Sequence, residues 1–491
     1  MASQQLIDNL CLGSLVTGTR RHFAMVQYDY DLAVIGSGPA GHHAAIQGAK
    51  LRKRVLVVER KPIVGGVCVN LGTVPSKTIR EAILYLSGYR ERAVYGESYR
   101  VKEQITFQDL LFRVEPVVHA EIDVMRDQLL RNHVAVVNAV ASFADPHTLR
   151  LQRADGSQAN VTADKVVIAV GTESIRDPRM PIDGRDVFCS DDILQLDELP
   201  RTLAVIGAGV IGCEYASMFA ALGVRVTLVD MRPRLLGFVD AEIVETLAYH
   251  LRERRMTLRL GEEVSSVEPF EEAGIRRVRT CLASGKQLIT DKVLTSTGRN
   301  SATKDLNLAS AGISADSRGR IKTRAYYQTE VDHIYAAGDV IGFPSLASTS
   351  KEQGRIAACN AFGVPATYSP ELFPYGIYTI PEISFVGRTE EELTENGIPY
   401  EIGKAHYREV VRGKIIGDQI GVLKLIFHRE THELLGVHII GDGATELVHI
   451  GQAVLSLKGT LDYFINTVFN YPTLAECYKN AALDGINRIN D

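Results

Sequence analysis

No C-x-x-C pair occurs among the seven cysteines, Cys11, Cys68, Cys189, Cys213, Cys281, Cys359 and Cys477. Their odd number and scattered spacing argue against a disulfide framework or a structural zinc site. They point to a reducing compartment, read here as the cytoplasm. No apolar run approaches the roughly 18 residues that a membrane helix needs, so no membrane association is expected. A net charge of −5 leaves no basic footprint for nucleic acid. The one basic stretch, Arg252-Glu253-Arg254-Arg255, is broken by an acid and reads as a solvated helix face. The 13 histidines include no H-E-x-x-H or other metal spacing, and no metal site is expected. His438 and His449 read as structural, and His42-His43 as partly solvated. Residues 1–27 carry Arg20-Arg21 but no apolar segment followed by a cleavage site, which disfavours a secretory signal. An organelle transit peptide is a weaker reading than a start at Met25. The segment is expected to be a disordered extension to a fold that begins at Tyr28.

What is present is a chain of 491 residues, too long for a single core. Its 45% hydrophobic and 23% charged content is that of an ordinary globular protein. A short apolar strand, Asp31 to Gly36, runs into Gly36-Ser-Gly38-Pro-Ala-Gly41 and a helix of small residues. The next strand, from Arg54, closes on Glu59. In such a unit the first glycine makes the tight turn and the second lets the backbone approach a pyrophosphate. The third lets the helix pack on the strand, and the acid accepts from ribose hydroxyls. The unit then recurs. A strand from Thr202 enters Gly207-Ala-Gly209-Val-Ile-Gly212, and the following strand closes on Asp230. First glycine and closing acid stand at 36 and 59 in one copy and at 207 and 230 in the other, the same spacing. Each copy is followed by a buried strand running into glycine, Lys165 to Gly171 and Lys292 to Gly298. Two complete fingerprints imply two dinucleotide sites.

Between the copies, residues 77–135 read mostly as helices and 136–165 as a small antiparallel sheet. The strand His333 to Ala337 delivers Gly338-Asp339 at its carboxyl end, and a helix is expected from Ser345 through Ala358. From about residue 370 alternating strands and then long helices suggest a third, α+β domain. Just past Asp230, Arg232 and Arg234 bear on coenzyme choice. The acid suits the 2′-hydroxyl of NAD, while an arginine beyond it suits the 2′-phosphate of NADP. Dual specificity and NAD preference with surface arginines both remain open.

The two fingerprints, the glycine-rich segment Gly65-Gly66-Val-Cys68 through Ser76-Lys77 and the Gly338-Asp339 motif together resemble the pyridine nucleotide–disulfide oxidoreductase family over about residues 28–491. The resemblance implies an α/β fold with two Rossmann-like dinucleotide-binding domains and a C-terminal α+β dimerisation domain. The first, for FAD, would span 28–170 and 299–369, the second, for NAD(H) or NADP(H), 171–298, and the interface of a homodimer or higher homo-oligomer 370–491. Asp339 would hold the ribityl chain of the flavin. Lys77, beside the flavin ring, would pair with Glu214, two residues after the second fingerprint.

Disulfide reductases of this family carry a C-x-x-x-x-C pair and, near the C-terminus, a His before Pro-Thr. Here Thr73 stands in the place of the second cysteine and Tyr471 in that of the His, while Pro472, Thr473 and Glu476 remain. A phenol of ordinary pKa near 10 is a poor proton shuttle at neutral pH. Cys68 therefore reads as a relic thiol rather than a redox partner. Within the family, the segments 72–77, 376–382 and 469–473 are similar to members that pass hydride reversibly between NADPH and NAD⁺ through FAD, of the Si-specific type. The alternatives are a quinone or dye reductase with the same reductive half-reaction and a non-catalytic flavoprotein acting as a redox sensor.

Overall fold

The computed structural model describes residues 27–366 and 372–490. The expectation of a disordered extension at 1–27 thus falls almost wholly outside the described residues. The chain begins with β1 (Tyr30–Ile35), α1 (Pro39–Lys50) and β2 (Val55–Glu59). Strand β1 is paired in parallel with β2 on one side and with Gln158–Ile168 on the other. Ala135–Asn138 lies beyond β2, and Ile334–Ala336 pairs with Gln158–Ile168, all in parallel. Successive side chains of a strand point to opposite faces. Leu32 and Val34 accordingly pack with Ala44, Ala45, Val55 and Val57 on one face. Ala33 and Ile35 pack with Leu56, Val58, Phe143 and Leu149 on the other.

The antiparallel sheet expected from 136–165 is present in part. Val140–Asp145, Thr148–Gln152 and the first half of Gln158–Ile168 are antiparallel, but Ala135–Asn138 belongs to the parallel sheet. Gln158–Ile168 is one continuous strand. Its first half pairs with Thr148–Gln152 and its second half with β1, so the small sheet and the parallel sheet share it. Periodicity shows where a strand runs and not which neighbour it takes, which is why the two read as separate elements.

The second fingerprint forms a parallel sheet of five strands in the order Thr257–Leu260, Arg225–Asp230, Thr202–Ile206, Lys292–Thr295, Val187–Cys189. A three-stranded antiparallel sheet, Val264–Glu272, Ile275–Leu282 and Gln287–Thr290, is attached to it. Thr172–Ser174 and Arg299–Ser301 pair antiparallel where the chain enters and leaves this part. From Tyr375 a five-stranded antiparallel sheet carries the helices Ala444–Ser456 and Glu476–Asn490. The helix expected from Ser345 spans Ala347–Ala361 and lies along α1. Among the described residues no helix is long and apolar enough to cross a membrane.

Some side chains depart from expectation. His42 is buried, with Nε2 lacking a hydrogen-bond partner. Desolvation pushes its pKa down to about 4. Position 42 lies against Met125 and the neighbouring core, while His43, Gln47 and Lys50 form the partly solvated face of the same helix, as expected for His43. Arg252, Glu253 and Arg255 are exposed as expected, and only Arg254 is partly buried. Its guanidinium lies 4.9 Å from the Tyr89 ring centroid and pairs with Glu97. His438 is fully buried and bonded through Nε2 to the Arg388 carbonyl, a structural role, whereas His449 is exposed and bonded to Gln452. Three carboxylates, Asp240, Glu242 and Glu390, converge on the ammonium of Lys424, which is itself fully buried. This cluster fastens the helix Ala241–Glu253 to the C-terminal sheet.

Candidate functional site

Both glycine loops have the same construction. Gly36 and Gly207 sit at φ +99° and +107°, where a Cβ would lie 2.4 Å from the Ala169 carbonyl oxygen and 2.5 Å from that of Ser296. A Cβ on Gly41 or Gly212 would lie 1.9 or 1.8 Å from the carbonyl oxygen of Gly36 or Gly207. Only glycine permits these turns. They aim the N-termini of α1 and of helix Val210–Ala221 out of the sheets. Neither helix has a side-chain cap or an acid in its first turn. Their first N–H groups and positive dipole ends are therefore suited to a diphosphate. This chemistry fits a dinucleotide at each loop.

The loops differ in what lies over them. The segment entering α2 (Gly66–Asn70) passes across the first, and a Cβ on Gly38 would have Gly66 Cα 3.9 Å away. Around Gly209 a Cβ would meet nothing within 4 Å. The closing acids differ as well. Glu59 Oε2 accepts from the Ser37 N–H (2.9 Å) and hydroxyl (2.6 Å), and Oε1 from the Lys61 N–H (3.0 Å). Asp230 Oδ2 accepts from the Ala208 N–H at 2.5 Å and from Arg232 Nη2 at 2.6 Å. Its Oδ1 accepts from the Arg232 N–H and Nε at 2.8 and 2.9 Å. Burial pushes the Asp230 carboxyl up, but the Arg232 guanidinium and these N–H donors outweigh it and hold the pKa below the usual range. Arg234 reaches Glu391 at 3.6 Å. Asp230 and Arg232 thus meet, and Arg234 points to another partner.

The structure brings Lys77 and Glu214 together. Lys77, in α3 (Thr73–Leu86), places Nζ 2.8 Å from Glu214 Oε2. Glu214 is 3% exposed, and its other oxygen accepts from the Tyr378 N–H at 2.9 Å. Nζ of Lys77 also lies 4.9 Å from the Tyr378 ring centroid. Around this pair the stretch 378–382 is stitched down. Ser217 Oγ accepts from the Ile380 N–H, and Arg80 donates to the Thr379 carbonyl and pairs with Glu382. Sequence reasoning assigned no role to Tyr378, Ser217 or Arg80. The available signal was the stretch 376–382, which carried the resemblance without a role for any one of its residues.

Cys68 lies in α2, and Thr73 is the first residue of α3. Burial pushes its thiol pKa up, with the Thr73 hydroxyl opposing, the reverse of an activated thiolate. All six described cysteines are free, and Cys11 lies outside the described residues. Gly338 precedes the turn Asp339–Ile341, and its N–H donates to Gln353. Desolvation raises the Asp339 carboxyl, against Arg299 and a bond from Ser350 Oγ at 3.3 Å. Gly171 and Gly298 flank the paired crossings Thr172–Ser174 and Arg299–Ser301, joined by the Ile175 N–H to the Gly298 carbonyl. Tyr471 is 70% exposed, and Glu476 Oε2 is buried without a hydrogen-bond partner.

Comparison with known proteins agrees with this geometry. Residues 30–354 match the family model for pyridine nucleotide-disulphide oxidoreductases, and 373–482 match the model for the dimerisation domain of such enzymes. A soluble pyridine nucleotide transhydrogenase of Mycobacterium bovis (strain BCG / Pasteur 1173P2) is 53% identical over 462 residues, 94% of this chain and 98% of that protein. One from Colwellia psychrerythraea is 44% identical over 468 residues, 94% of this chain and 99% of that protein. Among solved structures, LpdA from Mycobacterium tuberculosis superimposes with a TM-score of 0.85 at 26% identity, covering 92% of this chain and 99% of that one.

Proposed function

The chain belongs to the pyridine nucleotide-disulphide oxidoreductase family, and from that premise we infer that it is a pyridine nucleotide transhydrogenase that moves hydride reversibly between NADPH and NAD⁺. The observation that carries this reading is Thr73, not a second thiol, at the start of α3 five places after Cys68, beside an intact second fingerprint. The first loop, with Gly36, Gly38, Gly41, Glu59, Gly66 and Asp339, holds FAD. The second, with Gly207, Gly209, Gly212, Asp230, Arg232 and Arg234, takes NAD(H) and NADP(H) in turn. In this reading residues 28–170 and 299–369 form the FAD-binding domain, 171–298 the nucleotide domain and 370–491 the interface of a cytoplasmic homodimer. Its stereochemistry is Si-specific.

FAD held at the first loop would supply the hydride-transfer chemistry between the two nicotinamides. The protein's own residues bind and orient. Helix N-termini receive the diphosphates, Glu59 and Asp230 mark the ribose ends, and Lys77 brings a positive charge to the flavin site. Glu214 keeps that charge in place through its bonds to Lys77 and the Tyr378 N–H. No thiol, general base or metal is required of the chain, so the loss of the second cysteine and of the histidine leaves this activity intact. Anaerobic stopped-flow tests the reading. After NADPH bleaches the flavin, NAD⁺ should restore its absorbance within the turnover time. Restoration far slower than turnover, or faster with a quinone than with NAD⁺, would overturn it.

A further inference from the structure

We propose that Glu391 sets the coenzyme preference of the second nucleotide site by holding Arg234 away from a 2′-phosphate. The proposal rests on the assignment of Arg232 and Arg234 to that phosphate.

The loop 231–240 joins Asp230 to the helix Ala241–Glu253 and is held at both ends. At its start Arg232 grips Asp230, and at its end Asp240 is paired with the buried Lys424. Two residues before Asp240, Phe238 packs on Tyr375 with ring centroids 5.0 Å apart. The C-terminal domain therefore fixes the course of a loop that belongs to the nucleotide site. Glu391 is part of the same attachment. It lies in a run of three acids, each with a different task. Glu390 pairs with Lys424, Glu392 caps its own helix through Thr389, and Glu391 faces the loop. Its Oε1 accepts from the Ala241 N–H at 3.1 Å and lies 3.6 Å from Arg234 Nη1.

The two arginines are thus engaged unequally. Arg232 makes a two-pronged grip on a buried acid, whereas Arg234 makes one long contact in which both side chains are about two-fifths exposed. A 2′-phosphate takes Arg234 more readily than Arg232, because the exposed single contact is the weaker. Glu391 opposes this by competing for the guanidinium, and the Ala241 N–H tethers it in that position. A 2′-hydroxyl does not meet this competition. Glu391 is therefore a positioning residue that discriminates against NADP(H) and leaves NAD(H) alone.

The test is titration of the flavin-loaded protein with NADP⁺ and NAD⁺, for wild type, Glu391→Gln, Arg234→Ala and the double variant. Glutamine keeps an oxygen for the Ala241 N–H, so the helix start stays held, and an unchanged melting temperature checks this. Glu391→Gln should tighten NADP⁺ about two- to fivefold, the scale of one exposed charge pair. NAD⁺ should move by less than about a third of that. The KM for NADPH should fall with kcat unmoved, the gain should shrink with added salt, and it should vanish in the Arg234→Ala background. Equal tightening of both coenzymes, no tightening, or a gain that survives without Arg234 would overturn the proposal. If Arg234→Ala itself leaves NADP⁺ binding unchanged, the assignment of Arg234 to the phosphate falls too. If Arg234→Ala weakens NADP⁺ and Glu391→Gln does nothing, that assignment stands and the role of Glu391 alone is rejected.

Discussion

The two glycine loops share their spacing and diverge in how they are closed. Over the first passes the segment Gly65-Gly66, and its acid is held by the Ser37 N–H and hydroxyl and by the Lys61 N–H. The Ser37 hydroxyl also accepts from the Gly65 N–H, tying roof to loop. A Cβ on Gly209 would meet no atom within 4 Å, and Asp230, besides the Ala208 and Arg232 N–H groups, is held by an arginine whose side chain is 53% exposed. A covered loop whose acid is closed by a serine hydroxyl that also holds the roof suits a group that stays. An open loop with a side chain able to swing suits one that exchanges at every turnover. Ser37 in one copy and Ala208 in the other make much of this difference, since alanine has no hydroxyl to bridge acid and roof.

Substituting the third glycine in each copy should separate the two sites most clearly. Gly41→Ala and Gly212→Ala each force a Cβ against a backbone oxygen less than 2 Å away, overpacking that costs roughly 1–3 kcal/mol or more. Gly41→Ala should yield protein with little flavin absorbance. Gly212→Ala should remain yellow and no longer be bleached by NADPH. Loss of flavin in both would erase the distinction.

Next in size is the double change of Arg232 and Arg234 to Ala. It should weaken NADP(H) by roughly 1.5–3 kcal/mol through lost charge-assisted bonds and leave NAD(H) close to its original affinity. Isothermal titration with each coenzyme reads this directly. Equal weakening would mean that the arginines shape the loop and do not read the phosphate.

The Lys77–Glu214 pair joins the two copies and should respond as a unit. Lys77→Met should lower the flavin midpoint potential by an amount on the order of 30 mV, about 1.4 kcal/mol for two electrons. Glu214→Gln should raise it, less fully, because the freed lysine loses its anchor. A double-mutant cycle on the potential should be non-additive. Additive shifts would show that the two side chains do not act on the flavin together.

The smallest effect belongs to the roof of the first loop. Cys68→Ser should leave transhydrogenation within about threefold, a barrier change under roughly 0.7 kcal/mol. Anaerobic titration should take up about two electrons per chain, the capacity of a flavin without a dithiol. A loss of a hundredfold, or a four-electron uptake, would return Cys68 to the chemistry.

Among the histidines, tertiary packing overrode the local reading. Nothing in His42-His43 marks one ring as buried, because helix position 42 faces Met125 only once distant segments have docked. The same holds for Arg254, whose partner Tyr89 comes from a segment far away in the chain. The single strand Gln158–Ile168 was legible as two pieces, since its first half alternates beside one neighbour and its second half is a buried apolar run beside another.

The sequence by itself determined both fingerprints, their closing acids and the absence of a second cysteine five places after Cys68. These are local matters. A glycine turn and the helix it starts are settled by sterics within a few residues, and a missing thiol is missing in any conformation. The pairing of Lys77 with Glu214 was carried by resemblance, not by any local signal. Tertiary structure alone decided that Glu214 also takes the Tyr378 N–H, that Arg80 reaches Thr379, and that Glu391 faces Arg234. It decided as well that, beyond the two backbone N–H groups each acid takes, Glu59 is closed by the Ser37 hydroxyl and Asp230 by an exposed arginine. Partners so far apart in the chain meet only when separate sheets pack. A charged group's environment is then set by which neighbours exclude water from it and which answer its charge, and neither is written in the spacing of residues.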